Sequence, residues 1–240
     1  IVKRARRADP LTRAPVAGIR QVRLSSPIIG GVRSLTGLPI STTQSGNRPM
    51  GKGRVEAFSD GVIAIIITIM VLELKVPEGH DLAALRPVIP VFCAYVLSFI
   101  YVGIYWNNHH HMFHAVQKVN GAVLWANLHL LFWLSLLPAV THWIGESHLA
   151  AWPAAMYGGV LFMSAIAYFI LTRALIREHG TESTIAKAVG SDFKGKVSVV
   201  IYLAGMVLAF VQPWLSAALY ALAAAWWLVP DRRIEHMMEA

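Results

Sequence analysis

Charge is scarce in this chain: 14% of its 240 residues are Asp, Glu, Lys or Arg, against 56% apolar side chains. Soluble domains carry roughly 25% charged residues, so there are too few here to cover a water-facing surface. Cysteine is scarcer still. The single Cys93 lies inside an apolar run, which excludes an intrachain disulfide and leaves the redox compartment unread. A Gly-rich phosphate loop and a G-x-S-x-G elbow are both missing, which argues against P-loop nucleotide chemistry and against a serine hydrolase. No internal repeat is visible. What the chain has instead is apolar length, with a mean hydropathy of +0.54, which suits one membrane domain.

The formal charge of +8 belongs to one end. Residues 1–49 hold nine Lys/Arg and a single acid, Asp9, whereas residues 50–240 hold twelve of each sign. The leading segment is rich in Arg, Pro, Gly and Ser without a sustained apolar period, so it is expected to be a disordered basic leader. A basic arm on anionic lipid, or an Arg-rich targeting peptide, would use such a composition. The simpler account makes Met50, directly before GKGRVEAFSD, the natural start and residues 1–49 an upstream translation. No nucleic-acid role follows from these arginines.

A membrane span needs about 20 mostly apolar residues. Five segments meet this more or less well: 87–106, 121–140, 152–171, 197–214 and 215–229, the last two short and joined around Pro213. A sixth differs. Its apolar run, 61–72, is interrupted by Thr68 and gains length only by taking in Arg54, Glu56, Ser59, Asp60 and Glu73. Such a helix sits poorly in bare lipid, so the other five should shelter it. It is the first place to look for function.

Orientation follows from the loops. With the N-terminus in the cytoplasm, the inner segments hold ten Lys/Arg and the outer ones only Lys75 and Arg86. An even number of spans then puts both termini inside, with 231–240 as a cytoplasmic tail. The inner loop at 173–196, charged and carrying Gly180 and Gly190, reads as a solvated connector.

On the first helix, Ile65, Thr68, Ile69 and Leu72 share one face by spacing, with Asp60 about 140° away. Periodicity alone does not decide their role, because Ile63, Ile65, Ile66, Ile67 and Ile69 point all round the helix. Ile65, Ile69 and Leu72 suit either a narrow apolar passage or ordinary packing. Thr68 suits an ion-facing hydroxyl or one bonded back to the carbonyl four residues earlier. Ser59 and Asp60 suit an interhelical network or helix N-capping.

A second cluster, YWNNHHHMFH at 105–114, brings four histidines into six residues. His110 and His114 have the i, i+4 spacing of metal ligands, but a membrane di-iron enzyme would need further histidine boxes, and His129, His142 and His148 look isolated. Interfacial histidines bonded to neighbouring helices are the better account. In the third span, Asn127 should bond another helix, since a buried amide is costly unpaired. Pro138 marks a terminus or kink there.

Together these clusters resemble the prokaryotic members of the transmembrane protein 175 family, relatives of an endosomal and lysosomal potassium channel. The resemblance rests on R-x-x-x-F-S-D at Arg54, Phe58, Ser59 and Asp60, then on Gly61, Val62, Ala64, Ile65, Thr68, Leu72 and Glu73. It continues through Trp106, His109, His110 and Phe113, and through Asn127 to Pro138, covering roughly residues 50–230.

The resemblance implies an all-α integral membrane protein with six transmembrane helices per chain, assembling as a homotetramer around a central pore in the cell membrane. Potassium is the implied permeant ion, and no cofactor or covalent chemistry is implied. Rings of Ile65, Ile69 and Leu72 would form the constriction, with Thr68 as the ion-contacting layer. Arg54, Ser59 and Asp60 would join a network with Trp106, His109 or His110, and Asn127. A carbonyl filter is not implied, and no TVGYG-like segment occurs. Two rivals remain. Bound iron or zinc would favour a membrane histidine-box metalloenzyme, and saturating, co-ion-dependent flux would favour a secondary transporter.

Overall fold

The computed structural model describes residues 51–77, 79–190 and 192–228. The basic leader at 1–49 and the tail at 231–240 lie outside the described residues. Among the described residues the chain is all helical. Its helices are α1 Lys52–Leu72, α2 Ile89–His114, α3 Gly121–Ser135, α4 Leu137–Glu146, α5 Ala151–His179, α6 Thr184–Val189, α7 Phe193–Leu208 and α8 Pro213–Leu228. A 3-10 turn, Leu82–Val88, leads into α2.

Among the described residues, four helical stretches are long and apolar enough to cross a membrane: Lys52–Leu72, Leu82–His114, Gly121–Glu146 and Ala151–His179. The third is α3 and α4 in succession. Pro138, at the start of α4, brings no backbone N–H to the helix, so the hydrogen-bond ladder is interrupted at Leu136 and then resumes. α7 and α8 have 16 residues each, or about 24 Å at 1.5 Å per residue. That is shorter than a hydrocarbon core of about 30 Å.

The boundaries differ from the sequence expectation at the basic ends. α2 runs past Trp106 through the whole histidine cluster. α5 continues to His179 and is followed by the short α6, so much of the supposed connector at 173–196 is helix. Hydropathy stops where a helix leaves lipid, but hydrogen bonding does not. Long basic side chains let the helix run on into the interface.

α5 is the hub, packing against α3, α4, α7 and α8, while α1 packs on α2, α3 and α4. Where α5, α7 and α8 meet, Tyr220 lies so close that a Cβ on Gly158 would come 1.9 Å from its Oη, and one on Gly205 would come 2.4 Å from its ring. Only glycine leaves room there. The Tyr220 hydroxyl donates to the Ala154 carbonyl at 3.2 Å, and its own carbonyl accepts from Tyr101 at 2.6 Å. The last two helices are thereby tied to α2 and α5.

The turn after α2 is pinned to the end of α5. His179 Nε2 accepts from the backbone N–H groups of Gln117 and Lys118, both at 3.2 Å, while Nδ1 lies 2.9 Å from the Leu175 carbonyl. These contacts require a neutral ring with its proton on Nδ1. His179→Ala removes the acceptor and is expected to speed amide exchange at Gln117 and Lys118 several-fold at a fixed pH. Unchanged exchange at those two amides would refute the clamp.

Candidate functional site

α1 has two faces. Val55, Ser59, Ile63, Ile66 and Met70 recur at spacings of four and three and are buried against the neighbouring helices. The opposite strip, Ala57, Phe58, Gly61, Ile65, Thr68, Ile69 and Leu72, is exposed. Ile65, Ile69 and Leu72 are 57%, 42% and 81% exposed, whereas Ile63 and Ile66 are 1% and 3%. Isoleucines that composition cannot tell apart thus serve opposite faces. Thr68 shares the exposed strip, and its hydroxyl donates to the Ile65 carbonyl at 2.9 Å, three residues back rather than four.

At the basic end of α1 a directed chain of hydrogen bonds crosses three helices. His109 Nε2 lies 2.8 Å from Asn127 Oδ1, Asn127 Nδ2 donates to Ser59 Oγ at 2.9 Å, and Ser59 Oγ donates to the Val55 carbonyl at 2.8 Å. Because the Asn127 amide nitrogen is committed to Ser59, its oxygen must accept. His109 therefore carries its proton on Nε2. All three side chains are buried, at 1% exposure for His109, 2% for Asn127 and 0% for Ser59.

A separate bond joins α1 to α2 nearer the surface, where Trp106 Nε1 donates to Asp60 Oδ1 at 3.0 Å. His110 stacks on Trp106 with ring centroids 5.9 Å apart, and His109 stacks on Phe113 at 4.4 Å. Arg54 stays outside these bonds, exposed on the same strip as Phe58. The histidines also diverge. His109 turns into the core while His110 and His114 are exposed, with ring centroids 6.2 Å apart. Among the described residues, no three His, Cys, Asp or Glu side chains converge as metal ligands would.

Sequence reasoning missed the far end of α1. Glu73 Oε2 lies 3.4 Å from His142 Nδ1, and Lys75 Nζ donates to Glu146 Oε1 at 3.0 Å as an ion pair, so two contacts hold the end of α1 against α4. His142 is thus not isolated, and neither is His129, whose Nε2 accepts from Trp133 at 2.9 Å. Glu73, an acid closing an apolar run, was the available signal. Its partner was hidden because it lies on another helix.

An apolar helix with one face buried, the other bare and a polar anchor at one end defines a multi-pass helical membrane protein built around α1. Residues 54–138, from α1 into α4, match the family model described as the endosomal/lysosomal potassium channel TMEM175. A potassium channel of Chryseobacterium sp. is 58% identical over 190 residues, covering 79% of this chain and 99% of its own. The human endosomal/lysosomal proton channel TMEM175 is 38% identical over 104 residues, covering 38% of this chain and 21% of its own. The crystal structure of a lysosomal potassium-selective channel TMEM175 homolog from Chamaesiphon minutus superposes with a TM-score of 0.64. It shares 30% identity, over 74% of this chain and 96% of that one. The chain belongs to the TMEM175 family.

Proposed function

We infer that this chain is a potassium-permeable channel of the cell membrane, a tetramer of identical subunits whose four α1 helices line the pore. α7 and α8 serve as the fifth and sixth spans of each subunit, and both termini face the cytoplasm. The observation that carries this reading is the bare strip of α1. Ile65, Thr68, Ile69 and Leu72 lie on it, although every side of the helix is apolar enough to pack. A strip left open in one subunit and repeated four times around an axis forms stacked rings. Ten Lys/Arg in the segments on one side against two on the other support the orientation.

In this reading Ile65, Ile69 and Leu72 make the constriction and Thr68 offers the ion an oxygen. The Thr68 proton is already given to the Ile65 carbonyl, so its remaining lone pairs are acceptors free to meet a cation. Ser59, Asp60, Trp106, His109 and Asn127 hold α1 in place against α2 and α3. His110 acts through its stack on Trp106, and Arg54 is free to meet a neighbouring subunit.

The test is potassium flux into liposomes carrying the purified full chain, with subunit number measured by native mass spectrometry. Flux no faster than in protein-free liposomes would sink the reading. Thr68→Val keeps the branched shape and removes the hydroxyl, so it is expected to reduce potassium preference several-fold without closing the pore. Unchanged reversal potentials in mixed potassium and sodium would remove Thr68 from the ion path.

A further inference from the structure

A cavity of about 310 Å³ lies between α2, α5, α7 and α8, towards the ends where α2 stops and α7 begins. That is roughly twice the size of a cavity that takes up benzene and stands at the lower end of small-ligand sites. Its walls are mostly apolar and aromatic, Ile166, Phe169, Val199 and Trp227 among them, yet hydroxyl and amide groups also reach it. Most of those hydroxyls are committed. Tyr101 donates to the Tyr220 carbonyl at 2.6 Å. Ser198 Oγ donates to the Lys194 carbonyl at 2.8 Å and accepts from Trp227 Nε1 at 2.7 Å. Tyr202 is bonded to Tyr101 and Ser198, and Tyr168 to Thr172. Tyr105 is the exception. It lines the cavity and is only 8% exposed, yet among the described residues no donor or acceptor meets its hydroxyl. Its neighbours there are the Tyr168 ring, edge-on at 6.1 Å, and Tyr202. Asn108, three residues on along the same face of α2, gives an amide hydrogen to the Ile104 carbonyl at 2.8 Å. Its own carbonyl oxygen has no donor among the described residues. At the mouth, Asp192 stands with Lys196 and Arg173, so the charges there answer one another.

We propose that this cavity binds a neutral two-ring molecule carrying a hydroxyl, its rings against the apolar walls and its hydroxyl on Tyr105, with Asn108 as a second acceptor. Every other occupant leaves something unmet. Water would satisfy the Tyr105 hydroxyl but suits a hydrocarbon-walled space poorly. A saturated chain would fill the space, leave Tyr105 unpaired and lose more rotational freedom than a rigid ring. An ion would enter a space whose charges lie at the mouth and are already matched. Rings also gain from edge and offset contacts with Phe169 and Trp227. A buried hydroxyl without a partner is costly, and the ligand supplies the partner that the helices do not. The proposal rests on the packing of α2, α5, α7 and α8, not on which ion the chain conducts.

The experiment uses the full chain in phosphatidylcholine liposomes at neutral pH, with a diazirine-bearing 2-naphthol as the photoactivatable probe. Crosslinked peptides are mapped by mass spectrometry. Labels should concentrate on the cavity segments of α2, α5 and α7. Unlabelled 2-naphthol should displace them at a several-fold lower membrane concentration than 2-methylnaphthalene, which has the same rings and no hydroxyl. Tyr105→Phe with Asn108→Leu should keep the labels and lose that difference. Val199→Trp, or Ala165→Phe if the first does not fold, should cut labelling several-fold and leave labels on the exposed face of α3 unchanged. Thermal unfolding gives a second readout. Without ligand, Tyr105→Phe should unfold no earlier than the natural chain, because it removes a hydroxyl that has no partner. With 2-naphthol, the midpoint of the natural chain should rise more than that of the variant. Labels spread evenly over all lipid-facing helices would overturn the site, as would labels that survive a folded filling variant. Equal displacement by 2-methylnaphthalene in the natural chain would reject the hydroxyl pairing. Earlier unfolding of Tyr105→Phe would reject it too, by showing that the hydroxyl already has a partner. If neither filling variant folds, the label map and the competition in the natural chain decide.

Discussion

Shortening Ile69 to alanine is expected to raise the current through each channel several-fold and to weaken discrimination among cations. In a fourfold assembly, each residue on the bare strip of α1 appears as a ring of four side chains. An isoleucine ring offers an ion no ligand, so a narrow one blocks by staying dry. Removing four sets of methyl and methylene groups widens the ring and lets water in. Leu72→Ala and Ile65→Ala should act in the same direction. Stability should suffer little, because Ile69 is 42% exposed within its own subunit and truncation opens no internal cavity there. Ile66 provides the contrast. It is 3% exposed and packed in the core, so Ile66→Ala should cost about 2–5 kcal/mol as a cavity mutation. Fewer channels would form, but each should conduct normally. Single-channel recordings in planar bilayers separate the two effects. If Ile66→Ala changes unitary conductance and Ile69→Ala does not, the pore face is misassigned.

That contrast also marks what a sequence of this kind can and cannot reveal. The polar crowd at Arg54, Glu56, Ser59 and Asp60 was legible because charge and hydroxyls stand out in an apolar helix. Ser59 and Asp60 do meet Asn127 and Trp106, respectively. The buried and bare faces of α1 were not legible. Lipid tails are as apolar as leucine, so side chains facing lipid, protein or a dry pore can look alike. The 1% exposure of Ile63 and the 57% of Ile65 follow from which neighbours press on α1, and no periodicity encodes that. The ends of α2 and α5 were hidden for a different reason. Their last turns are rich in polar residues, which hydropathy reads as loop, while the helix continues on backbone hydrogen bonds. The clasp of Gly158 and Gly205 around Tyr220 joins α5 to the consecutive pair α7 and α8, and neither glycine carries a local signature of it. At Pro213 the signal was present and misplaced by two residues, since proline opens α8 rather than closing α7.

Replacing Asn127 with leucine is expected to reduce assembled protein sharply while leaving the conductance of surviving channels nearly unchanged. Leucine fills a similar volume, so the loss isolates hydrogen bonding from packing. Asn127 accepts from His109 and donates to Ser59, and all three groups are buried. Hydrogen bonds between membrane helices average only about 0.6 kcal/mol, which alone would scarcely be felt. The larger effect comes from what leucine leaves behind. The His109 Nε2–H would face a hydrocarbon wall, and a buried donor without a partner costs about 1–3 kcal/mol. Ser59→Ala should be milder, because it orphans one amide hydrogen of Asn127 and removes its own hydroxyl together with that group's needs. The two changes share one bond, so the double variant should lose less than the sum of the singles. Thermal unfolding in detergent, read with the yield of assembled protein, gives the three differences. Conductance per channel gives the independent readout. A stable Asn127→Leu assembly with altered ion preference would place Asn127 in the conduction path rather than in the anchor of α1.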